Sequence, residues 1–425
     1  MTAEAEHQLL EATVDELKHL FSPRAETGET MVLNMGPQHP STHGVLRLIV
    51  ELDGEIVVNA VPDIGYLHTG VEKNMEAKTF LKALVMTDRL DYLNTMGNNL
   101  VYCLAIEKLM DVHVPPRAQT IRVILAELQR IASHLVWLGT HSADLASQSV
   151  LFYCFRERER IMDICEMVSG QRMMTSYIRP GGLWRDVPAG FEEAVRDFLN
   201  YLPAKLDDYE ALLSRNPIWL DRTKGIGVIG GETALAWGVT GPSLRGSGVN
   251  FDVRKAMPYG GYEQYEFDVP LGQNGDVYDR YLCRMQEFRQ SIRIIDQALG
   301  KLPKGLVMTD NRKVAPPPRS ELGTSMEALI HHFKLWTEGF SAPKGEVYVA
   351  TESPRGELGV FLAGNGGPRP HRVHFRTPSF VNTRGSVCRF SIKATISGAN
   401  RWLWQSMMPW PGFPAGNNSA SGSFG

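Results

Sequence analysis

The chain has 425 residues, 44 of them Lys or Arg against 47 Asp or Glu, for a formal net charge of -3 at pH 7. A hydrophobic share of 43% and a charged share of 21% are ordinary for a folded protein that buries a large core and holds two or three compact units. The near-neutral balance, with no run of Lys and Arg, argues against a nucleic-acid binder.

Residues 1–30 read as a polar, Glu-rich extension with helical spacing from Leu9 to Leu20 and no secretory signal. GPQHPSTHG, Gly36 to Gly44, follows as a loop, because Gly and Pro forbid regular structure there, and it carries His39 and His43. Such a histidine suits acid–base work if a carboxylate orients it, although a lone loop histidine is more often a structural hydrogen-bonding residue. Val45 to Leu52 and Glu55 to Ala60 are β-rich runs meeting at Asp53-Gly54, which predicts a hairpin.

From Asn74 to Val114 the apolar spacing is helical, until Pro115-Pro116 breaks it. Within it, Arg89 and Tyr92 of TDRLDYLNTMGNN stand three apart and are expected on one helix face. Ile121, Ile124, Leu125, Leu128, Ile131, Leu135 and Leu138 mark the clearest helix of the chain. The weakly charged stretch from Ile131 to Phe155 holds His134, His141 and Asp144, so it reads as a buried helix pair rather than a membrane span. Asp144, a lone carboxylate in apolar surroundings, needs a partner. A helix at Tyr153 to Ser169 follows, its alternating charges from Arg156 to Arg160 suiting a solvated face as well as any other role, and then RPGG, Arg179 to Gly182, as a turn.

Phe191 to Leu202 and Lys205 to Leu213 read as two helices, Ile226 to Ile229 as a short strand and Thr240 to Gly248 as a Gly-rich loop. Gly275-Asp276 opens a long amphipathic helix through Leu299, and Pro316 to Pro318 precede another at Ser325 to Trp336. Val347 to Thr351, Leu358 to Leu362 and Arg372 to Phe375 alternate as a small antiparallel sheet. The expected class is α+β, a central helical bundle with small antiparallel sheets at both ends.

Cys103, Cys154, Cys165, Cys283 and Cys388 are scattered, with no Cys-x-x-Cys pair, as suits buried or free thiols in a reducing compartment. GVIGGET, Gly227 to Thr233, lacks the Lys of a phosphate-binding loop and the spacing of a dinucleotide fingerprint, so NADH is not expected on this chain.

Together, GPQHPSTHGVLRL, GYLHTGVEKNMEAKTF, DRLDYLNTMGNN, SYIRPGG, TGPSLRGSGVNFDVRK, PYGGYEQYEFDVP, GDVYDRYLCRMQEFRQSIRII and ESPRGELGVFL closely resemble the large quinone-site subunit of complex I, the D-subunit family of bacterial type I NADH dehydrogenase. The resemblance runs from about Met31 to Asn382 and implies a fold shared with the nickel–iron hydrogenase large subunit. That domain would span 31–382: a β-rich start at 31–66, a helical core at 74–340 and a small sheet at 345–376.

The resemblance implies that His43 and Tyr92 hydrogen-bond the quinone headgroup, that Asp144 pairs with His43 and passes it protons, and that Arg89 lies beside the terminal iron–sulfur cluster. That cluster would sit on the neighbouring B subunit, NADH and flavin on other subunits, and no cofactor on this chain alone. The C and I subunits and the membrane-embedded H subunit are the other expected partners. The expected location is peripheral, on the cytoplasmic side of a bacterial inner membrane, in an enzyme that couples quinone reduction to proton translocation.

Two departures stand out. Members often carry a histidine where this chain has Met174 in GQRMMTSYIRPGG, and after Asn382 the family's helical ending is replaced by a segment rich in Trp, Gly and Ser. That tail, 383–425, resembles an altered reading frame or a diverged ending, with Asn417 to Gly425 expected to be disordered. A true hydrogenase needs two Cys-x-x-Cys-type pairs; His68 and Thr69 stand where the early pair would begin, and no late pair exists. A non-catalytic scaffold in a related respiratory or hydrogenase-like membrane complex is the remaining alternative.

Overall fold

The computed structural model describes residues 30–38, 44–54, 56–145 and 147–387. The N-terminal extension, His39, His43, Cys388 and the segment 417–425 lie outside the described residues.

The hairpin forms where the turn signal placed it. β2 (Arg47–Asp53) pairs antiparallel with β3 (Ile56–Asp63), closing at Asp53 opposite Ile56, and Gly54 takes the left-handed φ of 60° that the tight turn requires. β1 (Met31–Met35) adds an edge strand to β2 that the sequence pattern did not reveal, because four of its five residues are exposed and show no alternation. Leu48, Val50, Leu52, Val57 and Ala60 form a small core beneath this sheet.

The helical stretch expected from Asn74 to Val114 is three helices: α1 (Val71–Glu76), α2 (Phe80–Thr87) and α3 (Thr95–Met110). A turn at residues 88–94 interrupts them, so Arg89 and Tyr92 do not share a helix face. The cause is local. Asp91 accepts a hydrogen bond from the Leu93 N–H at 3.1 Å, and its carbonyl accepts one from Asn98 Nδ2 at 2.9 Å, so polar side chains satisfy backbone groups that a helix would otherwise pair.

α4 (Pro116–Asp144) starts with proline in its first turn and is buried around nearly its whole circumference, packing against α3, α5 (Gln148–Ser169) and α11 (Val277–Gly300). The Ile131 to Phe155 stretch is thus a helix pair broken at 145–147, and no helix among the described residues is long and apolar enough to cross a membrane. On α5, Arg156, Glu159 and Arg160 are solvated, but Glu157 turns inward and accepts hydrogen bonds from Arg156 and from the Tyr209 hydroxyl. It lies one turn from Cys154 and Ile161, which the core also claims.

The two helices expected between Phe191 and Leu213 are one, α6 (Phe191–Leu213), with Pro203 inside it. Burial of Leu199, Leu202, Leu206 and Tyr209 on one face outweighs the backbone hydrogen bond that proline removes. Short helices α7 (Pro217–Thr223), α8 (Gly231–Ala236), α9 (Pro242–Gly246) and α10 (Val253–Ala256) follow. Ile226 to Ile229 is not a strand; it is held to the start of α11 by single bonds, Val277 N–H to Ile226 O and Ile229 N–H to Gly275 O, both 3.0 Å. The Gly-rich loop from Thr240 to Gly248 contains α9, whose Arg245 is fully buried.

The later signals hold. Asp276 caps α11 by accepting from the Asp279 N–H, and Ser325 caps α12 (Met326–Thr337) by accepting from the Ala328 N–H. β6 (Gly345–Ser353), β7 (Gly356–Gly364) and β8 (Arg372–Arg376) form the second three-stranded antiparallel sheet. α13 (Pro378–Val387) packs against β3 and β7, joining the first sheet to the last. The α+β class with small antiparallel sheets is borne out.

Candidate functional site

The turn at residues 88–94 connects two other loops. The Asp88 carboxylate accepts a short hydrogen bond from the Ser176 hydroxyl, and Thr95 Oγ1 donates to the Met173 carbonyl at 2.8 Å. These bonds tie the turn and the first residue of α3 to the 171–177 segment, where Ser176 takes a left-handed φ of 41°. That segment is fixed from behind. RPGG is the turn of a small hairpin, β4 (Ile178–Arg179) with β5 (Gly182–Leu183). The buried Arg122–Glu107 ion pair, 2.6 Å, holds this hairpin through the Arg179 and Gly182 carbonyls and the Gly181 N–H. On its other side, the Asp91 carboxylate forms a tight ion pair with Arg355 from the β6–β7 turn.

Tyr92 stands in this turn, half-buried, between Asp91 and Leu93. Burial pushes its hydroxyl above the ordinary phenol value, so it keeps its proton at neutral pH and remains a hydrogen-bond donor. Arg89 is exposed, its guanidinium donating to the Val85 carbonyl at 3.1 Å. Burial raises Asp88, against the hydrogen bonds from Ser176 and Asn99 that pull it down. Asp144 is the last residue of α4, half-buried, one turn beyond the buried His141. The structure therefore puts Arg89 and Tyr92 in one turn and Asp144 at a helix end, while His43 lies outside the described residues.

Behind the turn lies a lattice of buried charge that the sequence did not reveal. Arg245 is paired with Glu287 at 2.5 Å and with Glu352 at 2.8 Å. Glu287 also contacts His134 Nε2 at 2.8 Å. Burial alone would raise the Glu287 carboxyl, but Arg245 and His134 outweigh it and hold it well below the carboxylate range. Glu127 joins Arg130 and Arg254, at 3.0 and 3.1 Å, and accepts from Tyr262 and Ser291. Burial opposes its ionisation as well, yet the two guanidiniums hold Glu127 at about 2. The link to the turn is Glu352, whose carbonyl accepts from Arg130 at 2.6 Å three positions before Arg355. No spacing rule assigns Arg355 a partner 264 positions away.

Cys103, Cys154, Cys165 and Cys283 are free and buried, and burial pushes each thiol up. Among the described residues no group of three or more His, Cys, Asp or Glu could hold a metal ion. The described residues thus offer no thiolate set for an iron–sulfur cluster.

Comparison with known proteins accounts for most of the chain. Residues 144–391 match the family model described as respiratory-chain NADH dehydrogenase, 49 Kd subunit. A D subunit of the NADH-quinone oxidoreductase of Chloroflexus aurantiacus is 62% identical over 357 residues, covering 83% of this chain and 87% of that protein. The corresponding D subunit of Thermus thermophilus is 56% identical over 373 residues, 88% of this chain and 90% of its own length. One from Koribacter versatilis is 53% identical over 382 residues, 89% and 95% of the two chains. The chain belongs to the family of the 49 Kd subunit of respiratory-chain NADH dehydrogenase, and is a subunit of an NADH-quinone oxidoreductase.

Proposed function

We propose that this chain supplies the protein groups that hold and protonate quinone. The observation that carries the reading is Tyr92: a protonated, half-buried phenol in a turn braced on both sides, within a chain of the NADH-quinone oxidoreductase family. Reduction of a quinone to a quinol takes two electrons and two protons. In this reading the electrons come from an iron–sulfur cluster on the neighbouring subunit. Tyr92 and His43 hydrogen-bond the two carbonyl oxygens, and Asp144 pairs with His43 and renews its proton. Arg89, whose guanidinium is exposed, would add positive charge beside that cluster. The chain acts as a peripheral component on the cytoplasmic face of a bacterial inner membrane, bound to the B, C, I and H subunits, in an enzyme that couples the chemistry to proton translocation.

The test is quinone-reductase activity of the assembled enzyme. Tyr92→Phe removes one hydroxyl donor and His43→Ala the imidazole. Each is expected to lower kcat/KM for a short-chain quinone by at least about tenfold, the equivalent of one hydrogen bond. Full activity in both variants overturns the reading and favours a scaffold role. Met174 adds a second check. It lies in the segment that Thr95 and Ser176 pin to the site turn, and a thioether cannot exchange protons. The reduction potential of the neighbouring cluster should therefore vary less with pH here than in a Met174→His variant, as potentiometric titration would show; equal slopes would refute it.

A further inference from the structure

Tyr92 stands in a turn rather than a helix or strand, and Asp91 fixes the backbone beside it. One oxygen of that carboxylate accepts from the Leu93 N–H at 3.1 Å, and the Asp91 carbonyl accepts from Asn98 Nδ2 and the Asn94 N–H, both at 2.9 Å. The second carboxylate oxygen is held by Arg355 Nη1. Both side chains of this pair are largely buried, 13% exposed for Asp91 and 11% for Arg355, so water screens the attraction weakly.

Arg355 is itself anchored. Its N–H donates to Ser353 Oγ at 3.3 Å, and its carbonyl accepts from Asn382 Nδ2 at 3.2 Å. Gly356 is pressed against Gly241, where an added Cβ would lie 2.4 Å from the Gly356 Cα, and the Glu357 N–H donates to Thr240 Oγ1 at 3.1 Å. On the strand side, Glu352 is locked to Arg245. The guanidinium therefore reaches the turn from a support fixed by α9, α13 and the buried charge lattice. Asp91 transmits that support to the residue next to it.

We infer that Asp91 and Arg355 are a positioning pair for quinone reduction, setting the backbone of Tyr92 so that its hydroxyl meets a quinone carbonyl. The inference rests on the proposed role of Tyr92 in holding quinone. Neither residue contacts quinone in this scheme; they act through Tyr92. The pair also extends the influence of α13, through Asn382, to the site.

Asp91→Asn is the informative variant, because the amide keeps an oxygen for the Leu93 N–H and loses only the charge that holds Arg355. In the assembled enzyme, KM for a short-chain quinone should rise about tenfold with kcat within threefold, while NADH oxidation by a water-soluble acceptor is unchanged. Arg355→Lys, which keeps the charge and loses the planar fork, should fall between wild type and Arg355→Met. Combining Asp91→Asn with Arg355→Met should cost no more than the worse single change. Wild-type KM in Asp91→Asn and Arg355→Lys, beside a defective Tyr92→Phe, overturns the positioning role alone. A parallel loss of quinone and water-soluble-acceptor activities at unchanged KM overturns it too, since that marks a merely structural pair. A silent Tyr92→Phe overturns the reading beneath it and the pair's role with it.

Discussion

The buried charge lattice and the 88–94 turn use the same residue types to opposite ends. In the lattice, Glu127, Glu287 and Arg245 are fully buried and matched partner for partner. Their charges are fixed: the two carboxylates are held far below neutral pH, and Arg245 is held above its ordinary value by Glu287 and Glu352 against the pull of burial. In the turn, Tyr92 is half-buried and Arg89 exposed, so both can meet something outside the chain. A low-dielectric lattice makes a rigid support because breaking any one pair strands its partner. A site that must exchange protons has to stand at the edge of such a lattice.

The sharpest way to break this contrast is Arg245→Met, which removes from the core the guanidinium that Glu287 and Glu352 share. A loss of about 3–5 kcal/mol is expected in denaturant unfolding, far more than a turn residue such as Arg89 should cost on replacement by Met. Equal losses at the two positions would dissolve the distinction.

Next is the pH dependence of Glu127. Its carboxyl is lower in the folded protein, about 2 against an ordinary 4.5, so the unfolded chain binds its proton first as pH falls. Its contribution is therefore complete above about 4.5 and lost as pH drops through that value toward 2. The stake is on the order of 3 kcal/mol, and Glu127→Gln should flatten the acid limb of the stability curve in that window. An unchanged acid limb would show that the pairing is not felt by the fold.

Gly241→Ala sharpens the link between lattice and site. Gly241 has φ 72° and ψ −151°, and its Cβ would strike the Gly356 backbone. A destabilisation of about 1–3 kcal/mol from backbone strain is expected, with a rise in KM for quinone if the β6–β7 turn is displaced. The smallest effect belongs to Ser325→Ala on the exposed helix α12, where losing the cap to the Ala328 N–H should cost about 1 kcal/mol and leave quinone kinetics alone. A kinetic effect there would show that the site is coupled more widely than through Arg355.

Much of the architecture was legible because its signals are local. Asp53-Gly54 needs only its own turn geometry, Asp276 and Ser325 need only the next N–H groups, and the spacing of Ile121 to Leu138 needs only the helical period. In the helical core, the sequence reading failed where a distant partner had decided. Pro203 sits inside α6 because core burial outweighs its missing bond, Glu157 turns inward to meet Tyr209, and Arg245 makes its short helix a centre of buried charge. At the site the deciding partners were local. DRLDY marked Arg89 and Tyr92 as worth attention, but placed them on a helix that the polar side chains of Asp91 and Asn98 unwind.

Sequence alone thus determined which residues carry donors, acceptors and charge, and which short stretches turn, start or stop. Tertiary structure alone decided which charges face one another across more than a hundred positions, and therefore which are locked and which stay available. The physical reason is that propensity and capping act over a few residues, whereas the electrostatics of a buried ion depend on whatever the fold brings within about 4 Å of it.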